Sequence, residues 1–413
     1  MKPRQVSHAR RTGAALAAAV SCAVAAAAQA AVPAVDAAAA PVAALGDLGQ
    51  ALLKKSQAAN AVVSPVAAAT ALGLVQAGAN GATEREIEAL FGAGRNGALA
   101  LRQGLPQLLR QVQGDAPGSP LKLASHMWVD QAAAAGMPAA YSRRLAQRWQ
   151  AEATRLPFAQ SEAARARINT WTAERTGGKV AELLPSGSVH AGTQVVLTTA
   201  MHFKSPWERP FNPDKTEPRS FKTAAGDSKP VPTMVDERGV MQAQVDGHLV
   251  MELPFAAGSA KGYSLLLAVP VDGARAAAPG GEQLARWRAM LKPLKCELAL
   301  PRFAIAPQSG SLKNALQSLG VKTVFSDAAD LRPMLGRAAT RVHLEDVHHA
   351  AGITVDESGG EAVAATAATV SSKSIALPPP PCAVDRAFSF ALLHQATGTP
   401  LFVGRVGDPT RAD

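Results

Sequence analysis

Four groups of residues have the types and spacing that chemistry would need. Ser119-Pro-Leu-Lys122 sets an amine three residues after a hydroxyl, an arrangement in which lysine activates serine for acyl transfer when both sit on a helix. Here Leu121, Leu123 and the apolar residues after them read as a strand, and no Ser-Asp-Asn or Lys-Thr-Gly partner follows, so the match is put down to chance. His348-His349 offers two imidazoles, but adjacent strand residues point to opposite faces and do not easily share one ion. A core histidine bonded to neighbouring strands is expected for one of them. Cys296 and Cys382 give neither a framework nor a metal site; one disulfide is possible, and two free thiols are the preferred reading. The fourth is Lys373, alone in a run of small residues.

That run lies in "DESGGEAVAATAATVSSKSIALPPPPC", Asp356 to Cys382. Glu357-Ser-Gly-Gly follows a strand without a clear turn closing it. The Ala, Gly and Thr residues after it have no apolar face to hold them down, so the segment is expected to be exposed and mobile. Small side chains are also what a segment needs if it must enter an already packed sheet. Pro378–Pro381 cannot donate ladder hydrogen bonds and favour extended geometry, which fixes where any insertion stops. The chain carries no G-x-S-x-G, no H-E-x-x-H and no Gly-rich phosphate loop. No enzyme activity, cofactor or metal is expected.

The elements that must position this segment are partly legible. Lys2, Arg4, Arg10 and Arg11 precede an apolar run that ends in a small-residue cleavage pattern at Ala28–Ala30, so residues 1–30 read as a secretory signal peptide. Lipid anchoring at Cys22, within "AVSC", is the alternative. Residues 31–44 read as an Ala/Pro-rich tether and residues 45–413 as a single domain. Removing the four basic residues of the leader takes the net charge from +10 to +6. The remaining bases read as dispersed, as at Arg143, Arg144, Arg148, Arg165, Arg167 and Arg175, which argues against nucleic acid. Thr83 with Glu86 suggests a capping box, and Ile168 and Trp171 share a helix that ends at Gly177-Gly178. Strands are expected at Val195–Phe203, His248–Leu253, Tyr263–Pro270, Glu297–Phe303, Ala350–Val355, Phe388–His394 and Leu401–Val406. Helices early and strands late argue an α+β fold built on mainly antiparallel sheet.

Here the chain resembles a known family. Glu357-Ser-Gly-Gly-Glu-Ala-Val-Ala-Ala-Thr366 is similar to the hinge E-x-G-T-E-A-A-A-A-T of the serpins, with Gly360 and Val363 as departures. "NAVVSPVAAATALGLVQAGANGATEREI", "INTWTAERTGGKVAELLP", "AMHFKSPWERPF", "ALPRFAI" and "TPLFVGRVGDP" resemble serpin segments in family order, from about residue 45 onward.

The resemblance implies a serpin fold with an exposed reactive-centre loop at about residues 357–381. Its hinge would comprise Glu357, Gly359, Gly360, Glu361, Ala362, Val363, Ala364, Ala365 and Thr366. His349 and Thr199, the latter where most members carry Asn, would sit in the sheet-opening region. The implied function is suicide inhibition of an extracytoplasmic serine protease by acyl-enzyme trapping and loop insertion, with the cut at Lys373–Ser374. Lysine there suits the acidic pocket of a trypsin-like enzyme. A cut nearer Ile375, Ala376 or Leu377 would suit elastase- or subtilisin-like proteases, and a non-inhibitory binding or carrier role is the other alternative. The expected partner is a serine protease held covalently. The protein would be monomeric, secreted or periplasmic, and free of membrane unless lipidated at Cys22.

Overall fold

The computed structural model describes residues 40–113, 119–256, 262–271, 276–337, 339–360 and 379–411. The described helices are α1 Ala40–Lys55, α2 Pro65–Gln76, α3 Gly81–Ala89, α4 Arg95–Leu99, α5 Leu105–Gln113, α6 Ala139–Arg144, α7 Ser161–Thr176, α8 Gly281–Met290, α9 Lys313–Ser318 and α10 Arg332–Leu335. Ser64 caps α2, its hydroxyl accepting from Ala67 N at 3.1 Å, and Pro65 fills the first turn. All of α2 is buried, which is why its sequence, "PVAAATALGLVQ", has no polar face.

Among the described residues, one sheet has nine strands: β1 Ala61–Val63, β6 Glu217–Lys222, β7 Ser228–Val245, β8 His248–Pro254, β9 Tyr263–Pro270, β10 Lys292–Pro301, β14 Pro381–Ala383, β15 Phe388–His394 and β16 Thr399–Val406. Its order is β1-β16-β15-β9-β8-β7-β10-β14, with β6 beside β7. The other sheet has seven: β2 Leu121–Asp130, β3 Glu152–Leu156, β4 Val195–Phe203, β5 Ser205–Pro206, β11 Phe303–Ser311, β12 Leu344–Val355 and β13 Gly359–Gly360. They run β3-β2-β4-β12-β13-β5, with β11 against the outer side of β12. Most pairs are antiparallel; β2·β3, β4·β12 and β10·β14 are parallel.

The seven-stranded sheet is buried on both faces. Val195, Leu197, Met201, Val347 and Ala351 join the main core with α2, while Val196, Ala200 and Ala350 pack with Trp128 and Ile168 of α7 on the other side. That alternation is the two-residue strand period made physical.

Three expectations are corrected. Ala40–Ala44, read as tether, already belong to α1, and Leu45 just after them is fully buried. Thr83 and Glu86 form no capping box, because α3 begins two residues earlier, after Asn80. Their side chains bond other segments instead. Thr83 Oγ1 accepts from Asp330 N at 3.0 Å, and the Glu86 carboxylate accepts from the amides of Lys322 and Thr323. Cys296 and Cys382 are a disulfide rather than two free thiols. Parallel pairing of β10 with β14 puts Cys382 opposite Leu298 and brings the two cysteine Cα atoms to 5.9 Å, within the range a bridge needs.

Candidate functional site

β4 and β12 pair directly from Leu344↔Val195 to Ala351↔Met201 and then part. β12 runs on to Val355, while β4 passes through Lys204 into β5. The notch between them is filled by Gly359 and Gly360. Gly360 pairs with Val355 on one side and with Ser205 on the other, and Gly359 pairs with Pro206. The two glycines therefore form the first rungs of an extra strand, antiparallel to both neighbours.

A turn at Asp356 aims the chain into this notch. Its Oδ1 accepts from Ser358 N at 2.8 Å and Gly359 N at 3.1 Å, and its own amide donates to Gly359 O at 3.1 Å. This corrects the reading of Glu357-Ser-Gly-Gly as lacking a closing turn. Gly359 has φ of 146°, and any Cβ there would collide with the Ser205 carbonyl oxygen, so no other residue fits the seat. Trp207 clamps the turn from below. Its amide donates to Ser358 O and its Nε1 to Asp356 O, both at 2.8 Å, while its ring stacks on Phe255 at 4.3 Å.

Glu357, expected on an exposed segment, is buried. Burial pushes its pKa up, but hydrogen bonds from Arg302 at 2.6 Å and from Thr216 Oγ1 outweigh it and hold the carboxyl below its usual range. The Glu357 carbonyl also accepts from Phe211 N at 2.9 Å. The first hinge residues are thus fastened by side chain, backbone and aromatic floor together.

Lower in the sheet, His349 and Thr199 are register partners across β12 and β4. His349 Nε2 accepts from Ser64 N at 3.1 Å, so the neutral ring carries its proton on Nδ1, which has no hydrogen-bond partner among the described residues. Burial drives its pKa down to about 4. Thr199 Oγ1 donates to Ala67 O at 3.2 Å and accepts from Ser125 Oγ at 3.0 Å. His348 is also buried, with Nε2 4.0 Å from Asp346 Oδ2.

Glu361, Ala362, Val363, Ala364, Ala365, Thr366, Lys373, Ser374, Ile375, Ala376 and Leu377 lie outside the described residues, as do residues 1–30 with Cys22. Asp356, Trp207, Arg302, Thr216 and Ser64 were missed by sequence reasoning. Of these Asp356 carried a local signal, an aspartate two, three and four residues ahead of a serine and two glycines, and Ser64 another, a serine directly before the proline that opens α2. The reading of dispersed bases also needs correction. Arg143, Arg144 and Arg148 line one groove of about 620 Å³ with Arg102 and Arg110, brought there by α5 and α6 and the π-helical turns Ala100–Gly104 and Leu145–Trp149 that adjoin them.

Residues 44–409 match the family model described as serpin (serine protease inhibitor). Serine protease inhibitor 42Dd of Drosophila melanogaster is 30% identical over 79% of this chain and 87% of that protein. Serpin-Z2B of Triticum aestivum is 30% identical over 85% of this chain and 90% of its own. Among solved structures, the thermophilic serpin tengpin in its native state superposes with a TM-score of 0.78 at 21% identity, covering 89% of this chain and 94% of its own. Thyroxine-binding globulin in complex with thyroxine gives 0.77 at 23% identity, covering 91% and 99%.

Proposed function

This chain belongs to the serpin family, and on that premise we propose that it traps a serine protease as an acyl-enzyme and then inserts its cut loop into the seven-stranded sheet. The register of the notch supports this reading most. Six residues beyond Gly360, and six back from both Val355 and Ser205, Thr366 would fall between His349 and Thr199. Eleven residues beyond Gly360, Ser371 would lie opposite Leu344, where β12 begins. Along that path Ala362, Ala364, Thr366, Ala368 and Val370 share the face of Gly360, which looks into the core at Phe203 and Phe255. Every one is small or apolar. Glu361, the segment's one charge before Lys373, falls on the opposite face.

The chemistry is supplied by the protease. Its serine Oγ would attack the Lys373 carbonyl carbon, the peptide bond to Ser374 would break, and the Ser374 amine would leave with a proton. An ester then joins Lys373 to the enzyme. Insertion of residues 361–371 as a new strand would carry that ester about 36 Å, at roughly 3.3 Å per residue, before water can cleave it. The buried disulfide supports an oxidising, extracytoplasmic setting, in keeping with the leader-like first thirty residues.

The test is to mix the chain with trypsin in near-equal amounts and run a reducing denaturing gel. A band at the summed mass less that of residues 374–413, with a released peptide starting at Ser374, is expected. Cleavage without such a band, for trypsin and for elastase- and subtilisin-like enzymes alike, would assign the non-inhibitory carrier role instead.

A further inference from the structure

We infer that the Cys296–Cys382 disulfide is a lock that makes loop insertion conditional on cleavage. The inference rests on the insertion reading above and concerns its regulation. The segment that would insert is anchored at both ends, in different sheets. Its start is β13 in the seven-stranded sheet; its end is β14, at the edge of the nine-stranded sheet.

Chain length decides what an uncut loop can do. Insertion as far as Ser371 leaves residues 372–380 to return to Pro381. The ten steps from Ser371 to Pro381 reach at most about 33–36 Å when fully extended. The way back along the new strand is already about 36 Å, eleven steps at roughly 3.3 Å. β14 lies further still, since Pro381 pairs with Glu297, six residues upstream of Phe303, the partner of Val355. Full insertion of the uncut loop therefore requires β14 to leave its sheet.

By hydrogen bonding alone β14 would leave readily. It is three residues long and pairs with β10 at the sheet edge. Bonds from Glu297 N to Pro380 O and from Val384 N to Ala299 O extend the pairing by one residue on each side. Cys382 is its middle residue, and the disulfide fastens it to Cys296, itself in register with Arg238 of β7 on the far side of β10. With the bridge intact β14 stays; with it reduced, the short ladder and the burial of Cys382 and Val384 are what oppose departure. The bridge also spans residues 361–378, so a chain cut at Lys373–Ser374 stays one covalent piece until reduced.

The test uses the full chain in three forms: untreated, reduced with dithiothreitol, and C296S/C382S. Dithiothreitol supplies two electrons and two protons, leaving two thiols and its own cyclic disulfide, so the reduced wild type covers a variant that folds poorly. Each form is held without protease somewhat below its unfolding temperature, and aliquots are probed with a trace of subtilisin. The two bridge-free forms are expected to lose their cuttable loop at least about tenfold faster than the untreated chain, while remaining full length. Equal rates would overturn the lock. A parallel sample of untreated chain, cut once in the loop, separates the two failures. If cutting raises its unfolding temperature and yet the rates are equal, the lock alone is wrong. If cutting gives no such rise, the insertion reading falls and takes the lock with it.

Discussion

His349 and Thr199 face each other across β12 and β4, and each is bonded to the start of the same helix, α2: His349 to the amide of Ser64, Thr199 to the carbonyl of Ala67. Both strands are therefore pinned to one buried point, where the proposed insertion would have to part them. Parting them would break the direct β4·β12 ladder and disturb these two buried hydrogen bonds to α2.

Thr199→Val keeps the shape and removes the hydroxyl. The Ala67 carbonyl loses a donor and Ser125 an acceptor, so the folded state should lose about 1–2 kcal/mol. Urea unfolding would register this as a lower midpoint with unchanged slope. An unchanged midpoint would mean that Thr199 does not contribute to holding the sheet.

Acid should weaken the fold through its buried histidines, His126, His348 and His349. Burial lowers His349 to about 4, and burial with the nearby Arg175 lowers His126 to about 4, both from an ordinary 6.5. As pH falls below 6.5 the unfolded chain takes up protons that the folded chain refuses. Stability is thus complete above 6.5 and is lost between there and about 4, at up to about 1.4 kcal/mol per pH unit for each ring. Carboxyls held low by hydrogen bonds, such as Glu357, add their loss only further into acid. Unfolding midpoints at pH 7 and 5.5 should differ in the native chain, and the difference should shrink in His126→Gln/His349→Asn to what His348, also lowered by burial, supplies.

The Glu357–Arg302 pair seats the hinge, and its charges can be exchanged. Glu357→Lys would set two cations at a contact now 2.6 Å long, costing about 1–3 kcal/mol after allowance for the half-exposed Arg302. It should also free the Gly359–Gly360 rungs, seen as faster amide exchange at Gly360. Glu357→Lys combined with Arg302→Glu should recover much of the loss, which a merely steric effect at residue 357 would not.

What could be read in advance follows from where the information sits. Val195–Phe203, Tyr263–Pro270 and Phe388–His394 were legible to the residue because each is a nearly unbroken apolar run bounded by turn residues. β7 was not, because its eighteen residues, "SKPVPTMVDERGVMQAQV", mix prolines and charges that are tolerated only where its neighbours β6, β8 and β10 accept them. The disulfide was read as possible but set behind two free thiols for the same reason. Eighty-six residues separate its cysteines, and only the pairing of β10 with β14 brings them together. The hinge was recognisable as a string of small residues, but its burial depended on Trp207, Arg302 and Thr216, each far away in sequence.

The last prediction separates the two faces of the segment beyond Gly360. If that segment enters the sheet in the register set by Gly360, residue 366 arrives under Ser64 and α2, between His349 and Thr199. Thr366→Arg would carry a guanidinium into that dry place, at a cost of several kcal/mol with no acid there to pair with it. Insertion would stall while cleavage at the loop continued, so protease turnover should rise and the covalent band should fall by roughly tenfold or more. Glu361→Arg changes charge more sharply, by two units, but on the face turned away from that core, and should leave most of the complex intact. Were the two variants to fail equally, net charge rather than side-chain direction would control trapping, and the register drawn from Gly360 would be wrong.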